Sequence, residues 1–242
     1  MNVLVLNGSP RGERSNTLQL TKAFIEGISA GHEVSAEILN IGKLNIKPCL
    51  GCFSCWTKTP GECVIDDDMS VVRSAIERAD IIIESFPLYF FGMPGGFKAA
   101  VDRCLPLMKT YLGTDDKDGR SSFHELRDPK MFKKKLVVIS TCGYVDTAPM
   151  YPALLKQYDL ICGERNYTAI LCAEGELFGY EGLAERQKKG FLADVKKAGE
   201  EFAEHGKLSA ETEERLSKRV LSASGFEAIV RSHWGGEEFP QI

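Results

Sequence analysis

Half of the eight cysteines in this 242-residue chain, Cys49, Cys52, Cys55 and Cys63, fall within fifteen residues. The overlapping two-residue spacings let three thiolates curl around one centre, and Gly51, Pro60 and Gly61 supply turns for the fourth. Four thiolates suit zinc or an iron–sulfur cluster. Zinc sites more often use two separated pairs, whereas three close cysteines and a distant fourth lean toward a cubane [4Fe-4S] cluster. The alternative is a cysteine-rich loop that carries no metal, with Phe53, Trp56 and Asp66–Met69 packing or capping. The other four cysteines are scattered. Cys104, Cys162 and Cys172 read as core positions, since a free cysteine behaves as a small hydrophobe.

A second constellation runs from Asn7 to Thr17 (NGSPRGERSNT). It combines Ser9, Ser15 and Thr17 hydroxyls, the Asn16 amide, and the Arg11 and Arg14 guanidinium groups. If a helix begins there, it adds backbone N–H groups and the positive end of a helix dipole. Those are the parts of a phosphate site. The spacing fits neither the Walker pattern nor the dinucleotide glycine fingerprint. A capped helix start with ordinary turn residues is the competing explanation, because Ser15 or Asn16 would cap well in any case.

The elements that must position these residues alternate between short apolar runs and amphipathic stretches. Val3–Leu6, Ile81–Ile83 and Leu136–Thr141 are near-continuous apolar runs, as expected for strands buried on both faces. Glu33–Asn40 and Tyr167–Cys172 complete a set of five. Leu20, Phe24, Gly27 and Ile28 keep helical spacing, as do Met69, Val72, Ile76 and Ala79 behind a cap at Asp67 or Asp68. Met93–Met108 reads as a helix opened by Pro94. Ala148–Leu160, Gly182–His205 and Ser209–Trp234 read as further helices. Strand–helix alternation predicts an α/β, doubly wound, five-stranded parallel sheet of order 2-1-3-4-5 with helices on both faces. In such a sheet ligands gather outside the carboxyl ends of the strands, so the loops after strands one, three and four are where chemistry belongs. The loop after strand three, Pro87–Gly95, has prolines and glycines among aromatics. It can offer a stiff, shallow surface to a planar ring, although aromatic loops more often simply pack.

Gly8-Ser9-Pro10-Arg11 with Asn16-Thr17, and Pro87-x-Tyr89-x-x-x-Met93-Pro94-Gly95 followed by Lys98 and Asp102-Arg103, resemble the NADPH-dependent FMN reductase family. The cysteine spacing is similar to the compact motif of the iron–sulfur flavoproteins that share its fold. The likeness covers roughly residues 1–200 in element order. It implies a flavodoxin-like fold, with Ser9, Arg11, Ser15, Asn16 and Thr17 around an FMN phosphate. It also implies ring contacts from Pro87, Leu88, Tyr89, Phe90, Gly92 and Met93. Thr141, Cys142, Gly143 and Tyr144 would bring backbone N–H groups to the pyrimidine edge, where fixed dipoles stabilise the charge of reduction; Cys142 would act through its backbone. Lys98, Asp102 and Arg103 read as a helix-surface or subunit-contact set. No catalytic side chain is compelled. The implied activity is an oxidoreductase passing electrons from NAD(P)H through FMN, and through a [4Fe-4S] cluster on Cys49, Cys52, Cys55 and Cys63 if one is held, to an unnamed acceptor. Two rivals are a flavodoxin-type electron carrier and a zinc-stabilised flavin-binding protein without turnover.

Composition bounds the partners. The chain is 43% hydrophobic and 26% charged, with net charge −4 and pI near 5.7, which argues against nucleic acid or an anionic membrane as partner. Lys133–Lys135 reads as a solvated connection. Residues 1–7 open without a basic, greasy leader, and a cytoplasmic location with reduced thiols is expected. His32, His124, His205 and His233 lack metal-ligand spacing. Asp115, Asp116 and Asp118 lack the EF-hand ligand order. The expected organisation is a flavin-binding domain over 1–205, with its cysteine-rich loop at 47–65, and a helical extension and tail over 206–242. A polar excursion at 113–135 has no assigned role. The family resemblance implies a homodimer or homotetramer, with Trp234 and Phe239 at an interface.

Overall fold

A computed structural model describes residues 1–110 and 124–234, with side chains through residue 232. The polar excursion up to residue 123, its Asp115–Asp118 cluster, Phe239 and the side chain of Trp234 lie outside the described residues. Five parallel strands form one sheet: β1 (Asn2–Asn7), β2 (Ser35–Asn40), β3 (Ile81–Pro87), β4 (Lys135–Thr141) and β5 (Thr168–Cys172), in the order β2-β1-β3-β4-β5. The doubly wound order read from the sequence is the order observed. Strand periodicity divides the apolar residues between two cores. Val3, Val5, Ile81, Ile83, Val137 and Ile139 face α1 (Asn16–Ser29) and α6 (Glu185–His205). Leu4, Leu6, Phe86 and Val138 face α3 (Met69–Arg78), α4 (Gly95–Asp102) and α5 (Pro152–Cys162). A short helix, α2 (Ser54–Thr57), lies inside the cysteine-rich loop.

The helices α1 and α6 cross with their backbones in contact at two glycines. A Cβ on Gly27 would come within 1.9 Å of the Lys196 carbonyl, and one on Gly199 within 2.1 Å of the Phe24 carbonyl. Gly27 therefore marks a crossing point within the apolar stripe of α1.

Three helices differ from the expected spans. The stretch expected as one helix over Met93–Met108 is α4 only to Asp102, then a 3-10 turn at Leu105–Leu107. The Arg103 side chain leaves the helix direction to reach buried partners, described below. The helix expected over Ala148–Leu160 is α5 at Pro152–Cys162. The final helical stretch is broken into α7 (Ala210–Leu216) and α8 (Ala223–Trp234), where Leu221 N–H donates to the Glu174 carboxylate at 2.7 Å instead of continuing a helix. Among the described residues no helix is long and apolar enough to cross a membrane.

Candidate functional site

The turn after β1 is built around Asn7, a fully buried amide that sequence reasoning did not single out. Its Nδ2 donates to the Gly12 carbonyl at 2.9 Å and to Asn40 Oδ1 at 2.7 Å, and its Oδ1 accepts from Ser9 N–H. A polar residue closing an otherwise apolar strand was the available signal. Gly8 lets the chain pass over α4: a Cβ there would sit 2.5 Å from the Phe97 ring. Ser15 caps α1 by accepting from Leu18 N–H at 3.3 Å. The Asn16 and Thr17 N–H groups are then the helix donors without intrahelical acceptors. Ser9 and Ser15 are buried beside them.

Two of the residues expected to face a ligand use their side chains elsewhere. The Asn16 amide donates to the Gly175 carbonyl at 2.9 Å, and Gln19 donates to the Phe178 carbonyl at 2.8 Å, so the turn after β5 is laid over the start of α1. The Thr17 hydroxyl bonds the Thr141 hydroxyl at 2.7 Å. These bonds tie the loops after β1, β4 and β5 together at the carboxyl edge of the sheet. Arg11, Arg14 and Asn16 also line a polar cleft with Tyr180, Lys188 and Lys189.

The loops after β3 and β4 meet as the topology requires, with Leu88 N–H donating to the Thr141 carbonyl at 2.8 Å. Tyr89 and Gly92 exchange backbone hydrogen bonds of 3.0 Å across a tight turn. Phe90 and Phe91 occupy that turn with φ of 47° and 64°. Two successive left-handed residues are a turn geometry that favours Asn-Gly, and bulky residues held there are strained, a feature that clusters at functional sites. The turn lifts Phe90 into solvent, 99% exposed, and lays Phe91 on Tyr144 from the next loop, ring centroids 6.0 Å apart and 19° from parallel. Phe91 was missed by sequence reasoning. Tyr89, Phe90, Phe91 and Tyr144 together form an exposed aromatic face on the loops after β3 and β4.

Met93 packs with Phe86 and Phe97 in the core. One expected role is corrected here. Cys142 does not present its amide: its N–H donates to the Cys172 carbonyl at 2.9 Å, and its own carbonyl accepts from Gly175 N–H at 2.8 Å. Its backbone ties the loop to β5. Burial pushes its thiol up.

The four clustered cysteines line one small pocket, together with Asp102 and Arg103. They stand as free thiols: Cys49 and Cys52 exposed, Cys63 half-buried and Cys55 buried. Among the described residues, no three Cys, His, Asp or Glu side chains are drawn together tightly enough to hold a single metal ion. A lone tetrahedral zinc needs all four sulfurs within about 2.3 Å of one point. Ser54, through its hydroxyl, lowers the Cys52 thiol pKa, whereas burial and then the neighbouring Cys63 charge raise that of Cys55. Trp56 anchors α2 by donating from Nε1 to the Leu105 carbonyl at 3.1 Å, and Arg127 reaches the Cys55 carbonyl at 3.4 Å.

Arg103 corrects the surface reading given to it. The Lys98–Asp102 pair is an exposed i,i+4 ion pair, but Arg103 is 1% exposed. It forms a two-pronged ion pair with Asp67 at 2.8 and 2.9 Å. That contact holds the Asp67 carboxyl down to about 2.

The fold and the loops at its carboxyl edge define a flavodoxin-like α/β protein. The chain belongs to the NADPH-dependent FMN reductase family, whose sequence profile matches residues 1–148. An iron-sulfur flavoprotein of Methanocaldococcus jannaschii is 34% identical over 107 residues, 44% of this chain and 53% of that protein. An FMN-dependent NADH:quinone oxidoreductase of Pseudoalteromonas atlantica is 30% identical over 126 residues, 48% of this chain and 60% of that protein. The chain thus spans about half the length of the curated relatives it matches. An NAD(P)H:quinone oxidoreductase from Methanothermobacter marburgensis superposes with a TM-score of 0.56 at 18% identity. That superposition covers 84% of this chain and 96% of the other, and it supports the fold.

Proposed function

We propose that this chain is an FMN-dependent oxidoreductase that takes electrons from NAD(P)H and passes them to a quinone-type or protein acceptor, with Cys49, Cys52, Cys55 and Cys63 holding a [4Fe-4S] cluster. The observation that carries the reading is the junction at the carboxyl edge, where a helix N-terminus with buried serines meets the aromatic face through the Thr17–Thr141 bond. The donor set suits a phosphate: the Asn16 and Thr17 amides, the Ser9 and Ser15 hydroxyls, and Arg11 from the same turn. The aromatic face suits a planar ring, with Tyr89, Phe90 and Tyr144 as contacts, Pro87, Leu88 and Gly92 as its rigid base, and Phe91 added by its stack on Tyr144. FMN supplies hydride acceptance and redelivery when bound. Thr141 and Gly143 belong to the loop that closes the pyrimidine edge. The exposed aromatic face also suits closure by a second copy of the chain. We place the protein in the cytoplasm, with residues 206–242 as a helical extension and tail of the flavin domain.

The test is anaerobic purification followed by a visible spectrum, flavin identification and iron and sulfide analysis, then rapid mixing with NADH and NADPH. Flavin absorbance that bleaches within seconds, with about four irons per chain, is the expected result. Protein that takes up no FMN when it is supplied refutes the central reading. Bleaching over hours identifies a carrier instead, and zinc in place of iron refutes the cluster.

A further inference from the structure

Arg103 lies outside the cysteine-rich loop in sequence, and yet it bonds both arms of that loop. Nη1 donates to the Lys47 carbonyl at 2.7 Å, on the arm that leads into Cys49. Nη2 donates to the Ile65 carbonyl at 3.3 Å, on the arm that leaves Cys63. Between them Asp67 takes one bond from each prong, and its carboxylate also accepts from Lys47 N–H at 2.9 Å and Met69 N–H at 3.1 Å. Both side chains are essentially buried, at 1% and 0% exposure. A buried ion pair of this kind is weak evidence for added stability, since desolvation offsets most of the attraction. What it does supply is fixed geometry, because a planar fork accepts only one arrangement of its partners.

That geometry bears on the thiols. Cys49, Cys52 and Cys55 come from the first arm and α2, and Cys63 comes from the returning arm. The only residue outside the loop that bonds both Lys47 and Ile65 among the described hydrogen bonds is Arg103. Its side chain lies in reach of the Cys63 thiol, and it lines the same pocket as the four cysteines.

We propose that Arg103 is the positioning residue of the cysteine site: its guanidinium pins the two arms of the Cys49–Cys63 loop at a fixed separation, so that Cys63 is held in reach of the other three thiols. The inference deepens the cluster reading and rests on it, and the test separates the two. Cadmium ion serves as a thiolate probe on the full chain, with FMN supplied. In the wild type, saturating Cd2+ should protect Cys49, Cys52, Cys55 and Cys63 together from iodoacetamide, as read by peptide mass mapping. In Arg103→Lys, which keeps the charge and loses the fork, Cd2+ should still protect the three close cysteines while Cys63 loses its protection. Cadmium affinity should fall about tenfold or more, the usual effect of removing a residue that orients metal ligands. General destabilisation would instead expose buried Cys172 as well, and would lower FMN retention. Full protection of Cys63 in a folded Arg103→Lys protein overturns the proposal. If that variant does not fold, Asp67→Asn carries the same test, because it removes the charge that holds the fork and preserves the shape. Absence of Cd2+ protection in the wild type speaks only to single-ion binding, and the iron and sulfide analysis decides the cluster reading. The arm-pinning role is then read without metal, as faster Cys63 alkylation in the variant than in the wild type, and equal rates overturn it.

Discussion

Glu84 stands in the middle of β3 with its side chain on the face packed by α3, α4 and α5. Among the described residues it forms no ion pair: Tyr158 donates its hydroxyl to Oε2, and two cavities, of about 570 and about 900 Å3, reach the carboxyl. Burial raises the carboxyl from its ordinary 4.5 to about 7, with the Tyr158 bond opposing the rise. Cys104 and Cys162 face it with thiols pushed up to about 12, and the Tyr158 hydroxyl is held well above 10. Between pH 4.5 and 8 Glu84 is thus the one of these groups that titrates. In that window the native carboxyl keeps a proton that the unfolded chain has lost, so the native state binds more protons and stability falls as pH rises. The full contribution is present below pH 4.5 and gone above about pH 7. At 1.36 kcal/mol per pH unit the loss is about 3 kcal/mol. Glu84→Gln keeps an acceptor for Tyr158 and removes the titration. The stability difference between variant and wild type should therefore grow by about 3 kcal/mol in favour of the variant from pH 4.5 to 8. Urea titrations followed by far-UV circular dichroism, with both proteins in the same cofactor state, measure it. Parallel stability curves across that range would refute the reasoning, because every other titrating group is common to both proteins.

Three further outcomes follow from the geometry. Gly199→Ala places a methyl 2.1 Å from the Phe24 carbonyl and should cost about 3 kcal/mol, whereas Gly190→Ala, in the same helix with open space around it, should gain about 0.5–1 kcal/mol; urea midpoints decide both. Thr17→Val strands the buried Thr141 hydroxyl and should cost about 1–2 kcal/mol, and the Thr17→Val/Thr141→Val double variant should recover most of it. Equal losses in single and double variants would show that the bond does not hold the two loops. Phe90→Asn with Phe91→Gly relieves two positive-φ positions and should raise stability by about 2 kcal/mol; it should also weaken FMN retention, measured by ultrafiltration, if the aromatic face is the ring bed.

Local residue types carry some of this structure, and partners distant in sequence carry the rest. The sheet was legible because Val3–Leu6, Ile81–Ile83 and Val137–Ile139 are apolar on both faces, and two-sided burial leaves that mark on a short run. The helix start at Ser15 was legible because a cap acts within three residues. Asn16 and Thr17 sit in the same turn, but their side-chain partners, Gly175 and Thr141, are 159 and 124 residues away. No spacing rule could show that these side chains are used within the fold.

Arg103 is the instructive case. An arginine at the end of a helix, directly after Asp102 and five residues after Lys98, reads as surface by every local rule. Its burial depends on Asp67, 36 residues earlier, and on two carbonyls that flank the cysteines. A buried guanidinium must satisfy its donors or carry a desolvation cost of several kcal/mol. The helix end has its own local cause: Pro106 lacks the N–H that would bond the Asp102 carbonyl, and its ring would clash there. At that helix end the fork's bonds to Lys47, Ile65 and Asp67 close the base of the cysteine loop. The helix end that sequence reasoning placed too late is where the fold fixes the spacing of its four thiols.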